Sequence, residues 1–294
     1  MRIANLDNRL VLLRDGGALD VHTASGGRFG PDPQAAYDNW AEFVRWARGA
    51  TGDVRPYADE DLGAPVPRPR QIFAIGLNYV RHAQESGLPL PEQPMVFTKF
   101  QSAVTGPSGC IALTGDTVDW EVELVAVIGA EAHHVGVTEA WGYVAGLTVG
   151  QDLSDRTVQQ SGSPAQFSMG KSFPGFAPIG PVVVTVDEFD DPDDLGVRTE
   201  LNGAPVQDSR TSDLVFSVPE LIAYLSGIVT LLPGDLIFTG TPEGVGLGRT
   251  PPSYLTDGDT IVTSIEGIGS MRHQMVAPVR AQALSATASG QGAS

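Results

Sequence analysis

The chain has 294 residues, with 18 lysine and arginine residues against 35 aspartate and glutamate residues, for a formal net charge of −17. A surface this acidic repels nucleic-acid phosphates and anionic lipid, so composition argues against nucleic-acid binding and against a polybasic membrane anchor. A single cysteine, Cys110, excludes an internal disulfide framework and is typical of a reducing compartment. Neither a signal-peptide pattern nor an apolar run long enough to span a membrane is evident, so a soluble cytoplasmic protein is expected.

The first 63 residues predict a small N-terminal α/β domain. Short β-favouring runs separated by turn residues lie at residues 2–6, 10–13 and 18–22. A helix is expected between Asp32, a suitable N-cap, and Gly49, because apolar residues recur between them at helical spacing. The proline-rich residues 64–70 are expected to form an extended linker after this domain.

Residues 71–280 predict a second, mostly β domain, which makes the whole chain α+β and predominantly β. Its β-favouring runs lie at residues 72–75, 95–97, 121–128, 144–149, 182–186, 236–238 and 260–265. Asn202-Gly203 is a two-residue hairpin signal, and Ser217 with Glu220 forms a capping-box signal for a helix. The tail at residues 281–294 is rich in Ala, Ser and Gly and is expected to be disordered.

Carboxylates are concentrated in residues 119–123, which read Asp-Trp-Glu-Val-Glu. Residues two apart on a strand lie on one face, so Glu121 and Glu123 project together. Taken alone, such a pair is more typical of a solvated strand face. The apolar run that continues to Ile128 instead indicates a largely buried strand, in which carboxylates need a partner. No lysine or arginine lies between residues 101 and 155, so no cation is close in sequence.

A third carboxylate, Asp152, follows the apolar run 144–149 at the point where a strand is expected to end. Alone, it is more typical of a turn or a helix cap. If it joins Glu121 and Glu123, three carboxylates without cysteine favour a hard divalent cation such as Mg²⁺ or Mn²⁺ over Zn²⁺. Such a site keeps coordination positions open for water or substrate.

Several motifs in a fixed order give the sequence a family resemblance. They lie at residues 76–82, 97–99, 119–124, 152–156, 170–173, 233–235 and 239–242. By this ordered set, which extends over most of residues 70–278, the chain resembles the fumarylacetoacetate hydrolase superfamily. Residues 251–255 are most similar to its domain-2-containing members.

The resemblance implies a mixed β-sandwich roll that forms a homodimer. It also implies that Glu121, Glu123 and Asp152 hold Mg²⁺ or Mn²⁺, with Ca²⁺ as a substitute in crystals. Superfamily substrates are small molecules with a 2-oxo acid or β-dicarbonyl unit. The residues that match the family's substrate pocket are Lys171, Arg156, Gln159 and Thr241. Arg156 has an equally good alternative, a salt bridge to Asp155 or another neighbouring acid.

His82 and Glu85 are three residues apart, so on a helical turn they share a face. Glu85 could then orient the imidazole, which could deprotonate a water molecule. Taken alone, a pair with this spacing is more typical of a protein surface. Acylpyruvate-cleaving members of the superfamily, however, carry such a pair on a short lid helix, and residues 86–89 form a flexible exit that suits a lid.

The sequence also departs from the family pattern. Pro174 replaces a frequent aspartate, Phe167 a common tryptophan and His273 a usual asparagine, while Leu77 stands where many acylpyruvase-like members have arginine. These departures concern substrate recognition and leave the metal ligands intact. The glycines of residues 244–248 resemble a nucleotide loop only weakly, because the phosphate-binding lysine and a following helix pattern are missing.

Together these features predict a metal-dependent hydrolase that cleaves a C–C bond in a 2-oxo or β-dicarbonyl acid. His82 and Glu85 are expected to activate water, and Lys171 to stabilise the enolate. An oxaloacetate-type decarboxylase or a dicarboxylate isomerase on the same metal site is the alternative, with isomerisation less favoured because it needs no activated water. A non-catalytic binding protein that kept the fold is the alternative of another class. The only lysines, Lys99 and Lys171, both lie inside family motifs, and a structural role for Lys99 is as well supported as a catalytic one.

Overall fold

The computed structural model describes residues 1–277, and the predicted disordered tail at residues 281–294 lies outside the described residues. The strands are β1 (Arg2–Leu6), β2 (Arg9–Arg14), β3 (Gly17–Asp20), β4 (Val54–Arg55), β5 (Leu62–Gly63), β6 (Ile72–Gly76), β7 (Met95–Thr98), β8 (Val104–Thr105), β9 (Ser108–Ala112), β10 (Val118–Asp119), β11 (Val122–Ile128), β12 (Val144–Gln151), β13 (Ser154–Asp155), β14 (Ala177–Val184), β15 (Gly196–Leu201), β16 (Ala204–Arg210), β17 (Leu236–Phe238), β18 (Thr260–Ile265) and β19 (Gly269–Val276). The α-helices are α1 (Val21–Ala24), α2 (Ala35–Asp38), α3 (Trp40–Ala47), α4 (Val80–Glu85), α5 (Arg156–Gln159) and α6 (Val218–Ser226).

The strands form two main sheets and one short pair. The large sheet has the order β4-β3-β2-β1-β14-β12-β11-β17-β6-β7, with β5 paired to β1 and β8 to β14. The second sheet has the order β16-β15-β18-β19-β9, and β10 pairs with β13. Because strands dominate and few helices are long, the fold is α+β and predominantly β, as predicted. The N-terminal strands extend the large sheet, since β1 pairs antiparallel with β14.

The central strand β11 is buried along its whole length, which confirms the expectation of a buried strand. Its residues alternate between two cores, as the period of a strand requires. Leu124 belongs to the core that includes Val197 and Ile265 of the second sheet. Val125 belongs to the core on the opposite face, which includes Phe43 of α3. Two apolar layers therefore hold this strand in place.

Two local predictions of the sequence are confirmed. The hairpin between β15 and β16 turns at Asn202 and Gly203, whose φ angles of 52° and 80° are those of a tight two-residue turn. Helix α6 begins with a capping box in which the backbone N–H of Ser217 donates to Glu220 Oε2 at 2.8 Å.

The predicted helix between Asp32 and Gly49 is wrong as a single element. The chain leaves helical geometry at Asn39, with φ −146° and ψ 69°, so that α2 and α3 are separate helices. Asparagine is a poor residue inside a helix because its side chain competes for local hydrogen bonds, and here it donates to Glu42 in the first turn of α3.

Two predicted strands have different limits in the structure. The strand expected at residues 18–22 ends at Asp20, whose carboxylate accepts from Thr23 N at 2.8 Å and so caps α1. The strand expected at residues 182–186 begins earlier and ends earlier, as β14. Within residues 1–277, none of the helices combines the length and apolar composition that a bilayer crossing requires.

Candidate active site

Three carboxylates meet where β11 begins and β12 ends. Val122 lies opposite Gln151 in the antiparallel ladder, so the residues just outside that pair, Glu121 and Asp152, are neighbours. The backbone N–H of Asp152 donates to the carbonyl oxygen of Glu121 at 2.9 Å and locks this register. One carboxylate oxygen from each of Glu121, Glu123 and Asp152 lies within 4.8 Å of the other two, and the three residues are buried. The structure thus brings together the acids that the sequence nominated.

Both lysines of the chain are buried against this cluster. Lys171 Nζ donates to Glu121 Oε2, Asp152 Oδ2 and Ser154 Oγ, each at 2.7 Å. Lys99 Nζ donates to Asp152 Oδ1 and to the backbone carbonyl of Lys171. Lys99 therefore orients both a carboxylate and the other lysine, which accounts for an ammonium group at each position.

Arg156 and Asp119 form a buried ion pair beside the cluster. Arg156 donates to Asp119 Oδ2 from Nε at 2.9 Å and from Nη2 at 2.7 Å, while its Nη1 lies 2.7 Å from Glu121 Oε1. The same Nη1 donates to Gln159 Oε1 at 2.9 Å. Of the two expectations for Arg156, the structure has the salt bridge, although not to Asp155, which instead caps α5.

The buried charges in this region do not balance. The ion-paired and clustered groups are the cations Lys99, Lys171 and Arg156 and the carboxylates of Asp119, Glu121, Glu123 and Asp152. Three positive charges thus face four negative ones. The excess falls on Glu123, because burial, then Asp152 and then Glu121 raise its pKa well above the ordinary value.

The pKa of Glu121 shifts in the opposite direction, although Glu121 is also buried. Burial disfavours its ionised form, but Lys171 and Arg156 outweigh burial and hold its pKa below the ordinary range. The pKa of Lys171 is raised, since Asp152 and Glu121 together outweigh its burial. Lys99 has a lowered pKa, because burial exceeds the attraction of Asp152.

The donor set fits a divalent metal ion that prefers oxygen ligands. Glu121, Glu123 and Asp152 offer carboxylate oxygens only, which suits Mg²⁺ or Mn²⁺ better than a thiophilic ion. Burial and the neighbouring carboxylates oppose ionisation of Glu123, and a cation between the three acids would favour its ionised form. Glu123 has a fixed orientation for this role, because its Oε2 accepts from the backbone N–H of Gly240 at 2.8 Å.

Two buried glutamines, Gln151 and Gln207, form a neutral hydrogen-bond network next to the carboxylate cluster. Gln151 accepts from the backbone N–H of Glu121 and donates to Thr263 Oγ1 at 3.0 Å. Gln207 accepts from Val122 N at 3.0 Å and donates to Thr241 Oγ1 at 2.8 Å. The buried amide of Gln207 therefore holds Thr241, which also lines a cavity beside the carboxylates.

A cavity of about 390 Å³ opens beside the carboxylates. The polar residues in its wall include every predicted catalytic and substrate residue: His82, Glu85, Lys171, Arg156, Gln159 and Thr241. Glu121 also reaches this wall. Apolar side chains, among them Leu77, Phe97 and Phe167, complete it, and the two phenylalanine rings meet edge to face at 5.9 Å. The departures Pro174 and His273 lie outside this wall.

The predicted histidine–glutamate pair forms on α4. His82 Nδ1 and Glu85 Oε1 are 2.8 Å apart, and both side chains are largely buried. Since a carboxylate only accepts, Nδ1 carries the proton in this contact, and Nε2 is left as the nitrogen that can take up a proton. Asn78 anchors the start of the helix by donating from its side chain to the carbonyls of Phe216 and Thr239.

Sequence reasoning missed Asp119 as a functional residue. It lies in the motif at residues 119–124, but its contacts with Arg156, Gly246 and Leu247 depend on chain segments far away in sequence. The one signal in the sequence was an acid shortly before the strand that carries Glu123.

The comparisons with known proteins agree with this geometry. The family model for the C-terminal region of fumarylacetoacetate (FAA) hydrolase matches residues 71–276. The chain belongs to the fumarylacetoacetate hydrolase family. It is 41% identical over 235 residues to oxaloacetate tautomerase FAHD2A of Homo sapiens, named as mitochondrial, an alignment that covers 79% of this chain and 75% of that protein. The predicted resemblance, including that to domain-2-containing members, is confirmed.

Solved structures of the family share the fold. A putative HpcE protein from Mycobacterium smegmatis is 52% identical, with a TM-score of 0.92 over 94% of this chain and 99% of that chain. Maleylpyruvate hydrolase from Sphingobium sp. SYK-6, solved with manganese(II) ion and pyruvate, is 29% identical, with a TM-score of 0.75 over 95% and 100% of the two chains. The chain is an enzyme of this family, and its buried acidic trio could bind a divalent metal ion.

Proposed function

We propose that this enzyme interconverts the keto and enol forms of a small 2-oxo acid by moving a proton at the carbon next to the 2-oxo group. The observation that carries the proposal is the His82–Glu85 contact of 2.8 Å in the same cavity wall as Lys171 and Glu121. It places a proton acceptor and a positively charged group around one small space. The tautomerase relative at 41% identity supports this reaction, with oxaloacetate as the first substrate to test.

In this proposal His82 Nε2 takes a proton from C3 of the substrate, and Glu85 stabilises the imidazolium that forms. The electron pair of the broken C–H bond moves to the 2-oxo oxygen, where Lys171 stabilises the negative charge. Proton return from His82 to that oxygen gives the enol. Each group returns to its starting state, so no further reactant is consumed.

A Mg²⁺ or Mn²⁺ ion held by Glu121, Glu123 and Asp152 would supply Lewis-acid polarisation of the substrate's oxygens. Arg156 keeps Glu121 ionised and turned toward this position, since its Nη1 lies 2.7 Å from Glu121 Oε1. Gln159 and Thr241 offer polar atoms that could orient a substrate carboxylate, because both line the cavity. Apolar neighbours such as Phe97 restrict water around the reacting carbon.

Hydrolysis of a C–C bond is the second candidate, and it is the reaction that the sequence placed first. The maleylpyruvate hydrolase structure, solved with Mn²⁺ and pyruvate, supports it. Here His82 would deprotonate water for attack on the distal carbonyl of a β-dicarbonyl acid, and the leaving fragment would depart as an enolate. Oxaloacetate decarboxylation uses the same negative charge on the 2-oxo oxygen, without activated water.

The experiment is a set of parallel assays on the metal-loaded enzyme and on the His82→Gln variant. Tautomerisation of oxaloacetate is followed by the loss of enol absorbance, hydrolysis of an acylpyruvate by pyruvate release, and decarboxylation by CO₂ release. We expect tautomerisation to be fastest and to fall by about 10²-fold or more in the variant, because general acid–base catalysis contributes that much. If acylpyruvate cleavage is faster than tautomerisation, hydrolysis is the main reaction. If no oxo acid is turned over, the non-catalytic alternative is favoured.

Other parts of the proposal have separate grounds. We propose Mg²⁺ or Mn²⁺ as the working metal and a homodimer as the assembly, as the family resemblance implies. We propose the cytoplasm as the location from the sequence pattern, while the FAHD2A relative is named as mitochondrial. The division into a domain of residues 1–63 and a catalytic domain of residues 71–280 is likewise a proposal. Metal analysis, sedimentation, fractionation of the source cells and limited proteolysis test these four points separately.

A further inference from the structure

Residues 244–248, which we call the glycine loop, lie directly against the histidine–glutamate pair. The backbone N–H of Gly244 donates to Glu85 Oε2 at 3.0 Å, while the other carboxylate oxygen of Glu85 contacts His82. Both oxygens of Glu85 are thus engaged, one by the imidazole and one by the loop. Two of the loop residues, Leu247 and Gly248, also line the cavity.

The other side of the glycine loop is held by the buried Asp119. Asp119 Oδ1 accepts from Gly246 N at 2.7 Å, and its Oδ2 accepts from Leu247 N at 2.9 Å. The same Oδ2 accepts two hydrogen bonds from Arg156, which in turn contacts Glu121. A continuous chain of hydrogen bonds and backbone therefore runs from the imidazole to the metal-binding carboxylates.

Two glycines of this loop, Gly244 and Gly246, are sterically required in the structure. A Cβ on Gly246 would lie 1.9 Å from the carbonyl oxygen of Ser253, and one on Gly244, whose φ is +100°, would lie 2.1 Å from that of Val206. A Cβ on Gly248 would lie 2.7 Å from Glu85 Oε2. The weak resemblance to a nucleotide loop thus has another explanation, which is close backbone approach to Glu85 and Asp119.

We propose that the glycine loop is a positioning element for the reaction: the Gly244 amide holds Glu85, and Asp119 sets the loop relative to Arg156 and Glu121. The inference rests on the proposed role of the His82–Glu85 pair as the proton-transferring group. A fixed Glu85 keeps the proton on His82 Nδ1 and the ring in one orientation. Displacement of the loop would therefore lower turnover through Glu85, without removing any group that contacts the substrate's reacting atoms.

The main test is a double-mutant cycle on the full-length, metal-loaded enzyme with Gly244→Ala and Glu85→Gln. Gly244→Ala forces the loop away from Val206 and is expected to lower kcat by about 10²-fold, the scale of a small misplacement of catalytic groups. In the Glu85→Gln background the same change should have almost no further effect, since the carboxylate through which the loop acts on His82 is gone. If the decrease in kcat of the double variant equals the product of the two single decreases, the proposal is overturned.

Gly258→Ala is the matched control. Gly258 has a similar φ of +89°, but a Cβ there meets nothing within 4 Å, so it shares the conformational strain without the loop displacement. We expect kcat to stay at the wild-type level in this variant. A loss equal to that of Gly244→Ala would mean that strain alone lowers activity, against the proposal.

Arg249→Met serves if Gly244→Ala does not fold. Arg249 is exposed, and its Nη2 donates to the carbonyls of Gly244 at 3.2 Å and Val206 at 3.1 Å, so its loss loosens the loop. Its guanidinium also lies 5.4 Å from the centroid of the buried Trp120 ring, and methionine is chosen because its side chain can cover that ring. We expect a decrease in kcat of about fivefold, the scale of one net hydrogen bond, that disappears in the Glu85→Gln background. An unchanged kcat, or a decrease that persists there, would contradict the loop's role.

A measurement without substrate separates this inference from the proposed function. In ¹⁵N NMR of the side-chain nitrogens, His82, assigned through His82→Gln, should carry its proton on Nδ1 in the wild type and lose this preference in Gly244→Ala or Arg249→Met. If the preference persists in these variants, the loop does not position the pair, whatever the enzyme turns over. If the preference is lost but no oxo acid is turned over, the loop inference holds and the proposed reaction fails.

Discussion

The two ends of the β11–β12 pair are equally buried and chemically opposite. At one end, Val127 and Ala145 pack among apolar side chains, as in any sheet core. At the other end, Glu123 and Asp152 are as inaccessible to water, yet they carry charge that buried lysines neutralise only in part. One pair of strands thus combines an apolar anchor with a charged terminus.

This difference indicates that the apolar end of the strand pair contributes stability and the charged end contributes function. Apolar burial stabilises the sheet, whereas clustered carboxylates in a low-dielectric site oppose folding unless cations compensate them. The apolar end holds the two strands in register. The charged end can therefore contain four carboxylates and only three cations without loss of the fold. A divalent ion is favourable at such a charged end, so substitutions at the two ends should differ in kind.

Glu123→Gln should have the largest effect, and on activity rather than on stability. Loss of one carboxylate ligand should lower kcat/KM by about 10³-fold, since metal polarisation contributes several kcal/mol to the transition state. Steady-state assays measure the loss. The control is Glu131→Gln, an exposed glutamate beyond the other end of β11, which should behave as wild type. Equal activity of Glu123→Gln and Glu131→Gln would mean that the charged end of the strand pair has no special role in catalysis.

The wild type has a predicted pH dependence of stability that Glu123→Gln should reduce. Because the pKa of Glu123 is raised in the folded state, the native protein binds this proton more tightly than the unfolded chain does. In the presence of a chelator, the wild type should therefore lose stability as the pH rises above the ordinary value of 4.5. Glu123→Gln should lose less, as thermal melts at several pH values would show. An equal loss in both proteins would contradict the charge excess on Glu123.

Leu147→Ala tests the apolar end and should affect stability but not turnover. Leu147 is fully buried on β12 opposite Ala126, far along the strand from Asp152. Its truncation should lower the free energy of unfolding by about 3 kcal/mol, the cost of a lost side chain plus a cavity. Urea unfolding measures this change, and kcat at a temperature where the variant is folded should be unchanged. A tenfold decrease in kcat would show that the two ends are not separable.

His273→Asn should have the smallest effect and concerns a neutral buried group in β19. Burial lowers the pKa of His273, whose Nε2 donates to the Gly106 carbonyl at 2.9 Å. The unfolded chain therefore takes up this proton first, so stability is complete above the ordinary pKa and decreases as the pH falls below it. The asparagine variant should lose less stability between pH 7.5 and pH 5. A steeper loss in the variant would mean that the histidine is charged in the folded protein.

The sequence nominates the acidic trio and the histidine–glutamate pair from local spacing, although each pattern alone is more typical of a surface or a turn. Glu121 and Glu123 follow from the period of a strand, and His82 and Glu85 from the spacing of a helical turn. Asp152 follows from the expectation that a strand ends there. The family resemblance then assigns chemistry to positions that local patterns already single out.

What the sequence cannot predict are the contacts between distant segments. Lys99 meets Asp152 across 53 residues, and Gly244 meets Glu85 across 159 residues. Such pairings depend on sheet order and loop approach, which hydrophobic periodicity does not encode. The break at Asn39 was missed for a different reason: the apolar stripe continues through it, and only the asparagine side chain signals the interruption.

We expect the carboxylates of Glu121, Glu123 and Asp152 to bind one divalent ion. The most direct test is titration of the chelator-treated protein with Mn²⁺, with the free ion counted by electron paramagnetic resonance. We predict one bound Mn²⁺ per chain in the wild type and in Glu131→Gln, and loss of this binding in Glu123→Gln. No binding by the wild type, or equal binding by Glu123→Gln, would contradict the account.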